Sequence, residues 1–247
     1  MRLAAAGDLH YTVNSRGAVR RQFADIGARA DVLLLCGDLT DHGLPEEAEA
    51  LAEDLQTLPV PVVAVLGNHD FEGGRVDQVV DTLRGKGVRV LDGESCVVEG
   101  VGFVGVKGFG GGFGKRALGP WGENAIKLFV QEAVDEAMKL ERALARLRQE
   151  PKVVLLHYAP IQDTVEGEAP QIWPFLGSSR LEEPIDRYGA VVAFHGHCHH
   201  GSVEGHTRSG TPVYNVAMPL LRATFPGQAP FRLVEIAAEG VKERTAK

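Results

Sequence analysis

Five short apolar runs in this chain each end on a residue able to bind a metal ion. "RLAAAG" (2–7) runs into Asp8 and His10, "DVLLLCG" (31–37) into Asp38, and "VVAVLG" (62–67) into Asn68, His69 and Asp70. "KVVLLH" (152–157) ends on His157, and "AVVAFHG" (190–196) leads into "HGHCHH" (195–200), which holds four of the nine histidines. Runs this short and this continuously apolar read as strands covered on both faces. Four of the five have a glycine within one residue of the polar group, which permits a sharp turn and a close backbone approach. In open α/β sheets, ligands gather outside the carboxyl ends of the strands, so groups distant in sequence can converge at one edge.

Helical patterns lie between these strands. They cover roughly 16–29, the stretch that follows Pro45, residues near 75–86, and a long amphipathic run from Glu123 to Glu150. A second group of strands has a different texture: "VRVL" (88–91), "SCVVEG" (95–100), "VGFVGV" (101–106), "GSVEGHTRSGTPVYNVA" and "FRLVEIAAEG". Glu99-Gly100 suits a hairpin turn. Strands alternating with helices, followed by antiparallel pieces, predict an α/β domain with a mixed second sheet packed on the first. With 247 residues and no composition break, a single domain over 1–247 is expected.

A net charge of −7 disfavours a general nucleic-acid surface. No run is long enough to span a bilayer, and the start "MRLAAAGDLH" has too short an apolar stretch for a signal peptide. Cys36, Cys96 and Cys198 form neither a CxxC pair nor a disulfide framework, so a cytoplasmic protein with reduced thiols is expected. The glycine-rich segment 105–119 lacks the GxxxxGK[ST] phosphate loop.

The candidate ligands are nitrogen and oxygen donors. That disfavours a thiolate zinc finger or an iron–sulfur cluster and leaves Mn, Fe, Zn or Ni open. Asp8 and His10 are two residues apart, as are His195, His197 and His199, which puts alternate residues on one side of an extended segment. This spacing does not choose which two of the three histidines bind metal.

Taken in order, Asp8-x-His10, Gly37-Asp38, Gly67-Asn68-His69-Asp70, His157 and Gly196-His197-x-His199 resemble the five motifs of the calcineurin-like metallophosphoesterases, over roughly residues 3–200. The resemblance implies a four-layer α/β/β/α sandwich of two mixed β-sheets flanked by helices. It also implies two divalent or trivalent transition-metal ions, Mn²⁺ foremost. One ion would take Asp8, His10, Asp38 and His199. The other would take Asp38, Asn68, His157 and His197, with Asp38 shared. His69 matches the family's catalytic histidine, and Asp70 the residue that orients it. A metal-bridging hydroxide would attack a phosphorus centre in line.

The expected activity is hydrolysis of phosphodiesters, cyclic nucleotides included, or of small phosphorylated metabolites. A phosphomonoesterase or phosphoprotein phosphatase is the alternative. A non-catalytic scaffold is disfavoured because His69 and every ligand are retained. Among the other residues, His195 reads as a supporting group, Cys198 as structural, and His200 and His206 as solvated. Asp41 and His42 either line the site or close a turn. The glycine loop 105–114 is either a plain connection or a lid. The insert 157–189 should lie beside the metals, with Ser178, Ser179 and Arg180 contacting substrate or Ser179 capping a helix with Glu182.

Overall fold

The computed structural model of the chain describes residues 1–237 and 240–243. Twelve strands among these residues form two six-stranded sheets. They are β1 (Arg2–Ala6), β2 (Val32–Cys36), β3 (Val62–Val65), β4 (Arg89–Val90), β5 (Glu94–Val98), β6 (Val101–Gly105), β7 (Lys152–Leu155), β8 (Val192–His195), β9 (Glu204–His206), β10 (Pro212–Asn215), β11 (Arg232–Ala237) and β12 (Gly240–Glu243). The helices are α1 (Ala18–Gln22), α2 (Ile26–Arg29), α3 (Pro45–Leu55), α4 (His69–Glu72), α5 (Val76–Gly85), α6 (Asn124–Arg146), α7 (Trp173–Leu176), α8 (Glu182–Arg187) and α9 (Met218–Thr224).

The first sheet runs β12-β11-β1-β2-β3-β4 and the second β5-β6-β7-β8-β10-β9. β1 to β4 are parallel, as are β6, β7, β8 and β10, while β11, β12, β5 and β9 pair antiparallel to their neighbours. Both sheets are therefore mixed, as expected. The two-residue side-chain period divides each inner strand between two cores. Leu33 and Leu35 of β2 face the helices with Val19, Leu51 and Leu83, whereas Leu34 and Cys36 face the other sheet. There they meet Phe103, Leu155 and Phe194. A third core packs the outer face of the second sheet, through Val104, Val154 and Val213, against Leu140 and Leu144 of α6 and Ile185 of α8. The result is the α/β/β/α order of layers.

Several local expectations change. "VRVL" belongs to the first sheet, where β4 lies parallel to β3, and β11 pairs with β1 in that sheet instead of adjoining β10. The last residues of "FRLVEIAAEG" include 238–239, outside the described residues. The helix expected over 16–29 is two short ones separated by residues 23–25. α6 stops at Arg146, short of Glu150, whose position before Pro151 disfavours helix. Ser179 is not a cap: α8 begins at Glu182, and the Ser179 hydroxyl accepts from the Gly114 N–H at 3.1 Å. The Glu99-Gly100 turn is as expected, with φ of 47° and 85° joining β5 to β6.

Phe103 is fully buried between the sheets, while Val97 on the neighbouring strand is exposed. Phe103→Ala should lower unfolding free energy by about 3–5 kcal/mol, because the interior cannot close over the lost ring. Val97→Ala should change it by less than about 0.5 kcal/mol. Urea midpoints at constant slope measure both; equal shifts would mean that the inter-sheet core is not packed as described.

Candidate metal centre

The candidate ligands stand where the parallel strands end. β1 leads to Asp8 and His10, β2 to Asp38, and β3 to Asn68. β7 leads to His157, and β8 to His197 and His199. Because the two sheets are face to face, ligands from both arrive at one seam. Three groups of side chains have candidate donor atoms within 4.8 Å of one another: Asp8, His10 and His199; His10, Asp38 and His69; and Asp38, His157 and His197. Asn68 joins the last group, its Oδ1 lying 2.9 Å from His157 Nε2.

The arrangement is held by unusual backbone. Of five non-glycine residues with positive φ among those described, four are Asp8 (57°), His10 (45°), Asp38 (46°) and His197 (69°). L-residues enter this region at a cost of about 1 kcal/mol or more, and it concentrates at functional sites. The expectation that Asp8 and His10 alternate along an extended segment is thus corrected: both are left-handed. Close approach adds to this. Gly37 has φ +82°, and any Cβ there would strike the His157 ring.

Hydrogen bonding fixes which nitrogens are bare. His157 Nδ1 donates to the Cys36 carbonyl at 3.1 Å, so in the neutral ring Nε2 carries a lone pair. That lone pair faces Asn68 Oδ1 at 2.9 Å and Asp38 Oδ1 at 3.3 Å. His10 Nδ1 lies 3.2 Å from Asp41 Oδ1, and its Nε2 is buried with no hydrogen-bond partner. His197 Nε2 donates to the Phe175 carbonyl at 3.3 Å, and burial pushes this ring's pKa down to about 3. His199 Nε2 sits 2.9 Å from Asp8 Oδ1. Burial raises the Asp8 carboxyl, but His199 and the His197 N–H outweigh it and hold Asp8 below the usual range. The orphaned buried Nε2 of His10, and the oxygens of Asp38 and Asn68 that the neutral His157 ring would face with a lone pair, fit cations at these points. The donors are N and O, with no sulfur among the three groups.

Supporting residues complete the site. His195 is fully buried, donates from Nδ1 to the Gly196 carbonyl at 2.8 Å, and accepts at Nε2 from the Thr164 hydroxyl at 2.8 Å. Burial lowers its pKa to about 4, and it belongs to none of the three groups. Cys198 is buried beside Phe113, Val165 and Leu176. His200 and His206 are exposed.

His69 is partly exposed, with its Nε2 4.0 Å from Asp38 Oδ2. Its Nδ1 donates to the Asp41 carbonyl at 2.8 Å. Burial works against its charged form, but the Asp41 carbonyl and the Asp38 charge prevail and raise its pKa. Asp70 differs from expectation. Its carboxylate accepts from the N–H groups of Leu39, Thr40 and Gly67 and from the Thr40 hydroxyl, at 2.6–3.2 Å. It therefore clamps the Asp38 and Asn68 turns together, and the imidazole is oriented by Asp41.

Asp41 lines the site, whereas His42 turns away to Glu47 at 2.9 Å. Asn215 went unnoticed in the sequence; its Nδ2 donates to the Cys198 carbonyl at 2.7 Å and holds the histidine turn. No local motif marks it, because the contact spans two strand ends. The insert packs beside the site through Thr164 and the Phe175 carbonyl. The glycine loop is tied to it by Gly111 N–H to Pro174 O and Gly112 N–H to Gly177 O. Arg180 joins that strap by donating to Leu118 O at 2.9 Å.

The family model for calcineurin-like phosphoesterases matches residues 1–201, and the chain belongs to that family. A protein of Synechococcus sp. named as a probable cyclic nucleotide phosphodiesterase is 35% identical over 78 residues. One of the same name from Rhodococcus erythropolis is 36% identical over 75 residues. Each alignment spans 28% of this chain, and 31% and 25% of those relatives respectively. The phosphopantetheinyl hydrolase of Mycobacterium tuberculosis superposes with a TM-score of 0.67 over 96% of both chains at 16% identity. A putative 5'-nucleotidase of Staphylococcus aureus gives 0.57 at 14% identity, over 98% of this chain and 52% of the other. These two likenesses establish the shared fold.

His197→Ala and His199→Ala should each lower bound metal after Mn²⁺ loading, and Asp38→Ala should lower it most. His195→Ala should leave the stoichiometry intact, with activity falling at most about 10–100-fold. Elemental analysis of the four purified variants decides this. A site emptied by His195→Ala but filled in His199→Ala would reverse the assignment.

Proposed function

We propose that the chain is a metal-dependent phosphoesterase that hydrolyses phosphodiesters, cyclic nucleotides among them, at a centre of two transition-metal ions with Mn²⁺ as the first candidate. The observation that carries this reading is a chain of linked donor groups, Asp8, His10 and His199, then His10, Asp38 and His69, then Asp38, His157 and His197, in which His10 and Asp38 each belong to two. Asp8, His10, Asp38 and His199 would hold one ion, and Asp38, Asn68, His157 and His197 the other. Bound there, such a pair supplies positive charge that draws in a phosphoryl group and makes water a better nucleophile. The preference for diesters over monoesters is supported by the names of the two partial relatives.

The chain's own groups do the rest. Asp38 lies between the clusters, and its Oδ1 also accepts the His69 N–H at 2.9 Å, which fixes its rotamer. The Asp41 carbonyl holds the Nδ1 proton of His69, so Nε2 is the atom turned to the open site. When the ring is protonated, Nε2–H can pass a proton to the departing oxygen. Asp70 keeps the two ligand turns in register and stays away from substrate.

His69→Ala should retain its metal and its fold but lose about 10²–10⁴-fold in kcat on a diester with an alkoxide leaving group. The loss should be smaller for p-nitrophenolate, which needs little protonation. Equal losses with metal retained would move His69 from proton donor to charge stabiliser. A Mn²⁺-loaded wild-type protein that cleaves neither mono-, di- nor cyclic phosphates would end the proposal.

A further inference from the structure

Lys107 is unexplained by the ligand set. It follows β6, one strand over from His157, and its carbonyl accepts the N–H groups of both His157 (3.0 Å) and Tyr158 (3.1 Å). Its side chain enters a box of three aromatic rings. The ammonium lies 5.5 Å from the centroid of Phe71, 4.8 Å from Phe109 and 5.3 Å from Tyr158. Phe71 stands two residues after His69, and the Tyr158 ring lies 4.5 Å from the His197 ring and 5.4 Å from His157. The ammonium is thus one ring away from the second ligand cluster and on the same strand-end edge.

This ammonium has carboxylates in its surroundings, Glu136, Glu132 and Asp92, but none in direct contact with it. Its hydrogen bond goes to the Gly108 carbonyl at 2.9 Å, and it makes no ion pair among the described residues. The nearby Glu136 carboxylate is committed to the Gly108 N–H at 2.8 Å and to Lys139 at 2.7 Å. Aromatic faces stabilise an ammonium without satisfying its donors, so N–H groups remain for an oxygen anion. Burial pushes the Lys107 ammonium below its usual range, against the pull of Glu136. Phe71 is 40% exposed, so the box opens to solvent on that side. A lysine held this way costs stability unless something anionic arrives.

We infer that Lys107, with Phe71 and Tyr158, forms a subsite for a second anionic group of the substrate, a phosphate or carboxylate carried beyond the phosphorus that is attacked. This deepens the phosphoesterase reading and rests on it for the identity of the first anion. Lys107 acts as a positioning residue. It selects substrates whose leaving portion carries its own negative charge, as a phosphate does when a P–O–P anhydride linkage is cleaved, and the aromatic rings bound the space around that charge.

The test compares two probes by calorimetry on Mn²⁺-loaded protein, with no turnover required: inorganic phosphate, which offers one anion, and methylenediphosphonate, which offers two and resists hydrolysis. Wild type should bind the diphosphonate more tightly than phosphate. Lys107→Met should weaken the diphosphonate about 10-fold or more, as expected for one lost charge-assisted hydrogen bond, and shift phosphate by less than about 3-fold. Lys107→Arg should restore most of the difference. Metal content and melting temperature of both variants establish that the fold is retained. Equal weakening of both probes would make Lys107 a contact of the reacting phosphoryl group and overturn the subsite, as would an unchanged Kd for both. Cleavage of bis(p-nitrophenyl) phosphate is measured separately. If wild type binds the probes but cleaves nothing, the phosphoesterase reading falls while the Lys107 result still stands or fails on binding alone.

Discussion

An unprotonated imidazole nitrogen turned toward a carboxylate oxygen and an amide oxygen is repulsive unless a cation lies between them. With its ring neutral, His157 stands in that relation to Asp38 and Asn68, and the partnerless Nε2 of His10 sits close by. Much of the local structure serves to keep these lone pairs converging. The carbonyl oxygens of Cys36 and Asp41 take the Nδ1 protons of His157 and His69 and so set those tautomers. Four left-handed residues hold the side chains in directions that an ordinary turn does not reach. Such strain persists only where the surroundings over-determine it.

The surroundings here are three packed layers of apolar side chains. Asp8, His10, Asp38 and Asn68 come from the first sheet, and His157, His197 and His199 from the second. The spacing between the two halves of the site is therefore set by how the sheets pack. Cys36, Leu155 and Phe194 lie in the inter-sheet core immediately before the ligand turns. Dense packing resists small displacements and transmits larger ones. Asp70 and Asn215, both buried, join neighbouring strand ends by hydrogen bonds to backbone, so the turns behave as a connected set.

On the outer side, the insert after His157 and the glycine loop after β6 pack on each other through backbone hydrogen bonds. The insert also supplies the Thr164 hydroxyl and the Phe175 carbonyl to histidines 195 and 197. These contacts make it part of the wall of the site. The aromatic box around Lys107 lies in the same wall, between the turn after β3 and the turn after β7.

The layered α/β architecture was legible in the sequence, because continuous apolar runs separated by amphipathic helices admit few other arrangements. The candidate ligands were legible too, since each ends a buried strand and parallel strands deliver their carboxyl ends to one edge. Local pattern failed where the outcome depended on pairing between distant segments. β4 and β11 joined the first sheet, β4 at its edge and β11 between β1 and β12, because strands add where unpaired backbone and apolar surface are left, and no short-range periodicity encodes that choice. Tertiary structure alone decided that Asp41, instead of Asp70, holds the His69 ring, and that His195 turns into the core toward Thr164. It also decided that Lys107 stands among three rings with no carboxylate in direct contact. Each of these is a contact between segments far apart in the chain, whose distance and direction exist only once the two sheets have closed on each other.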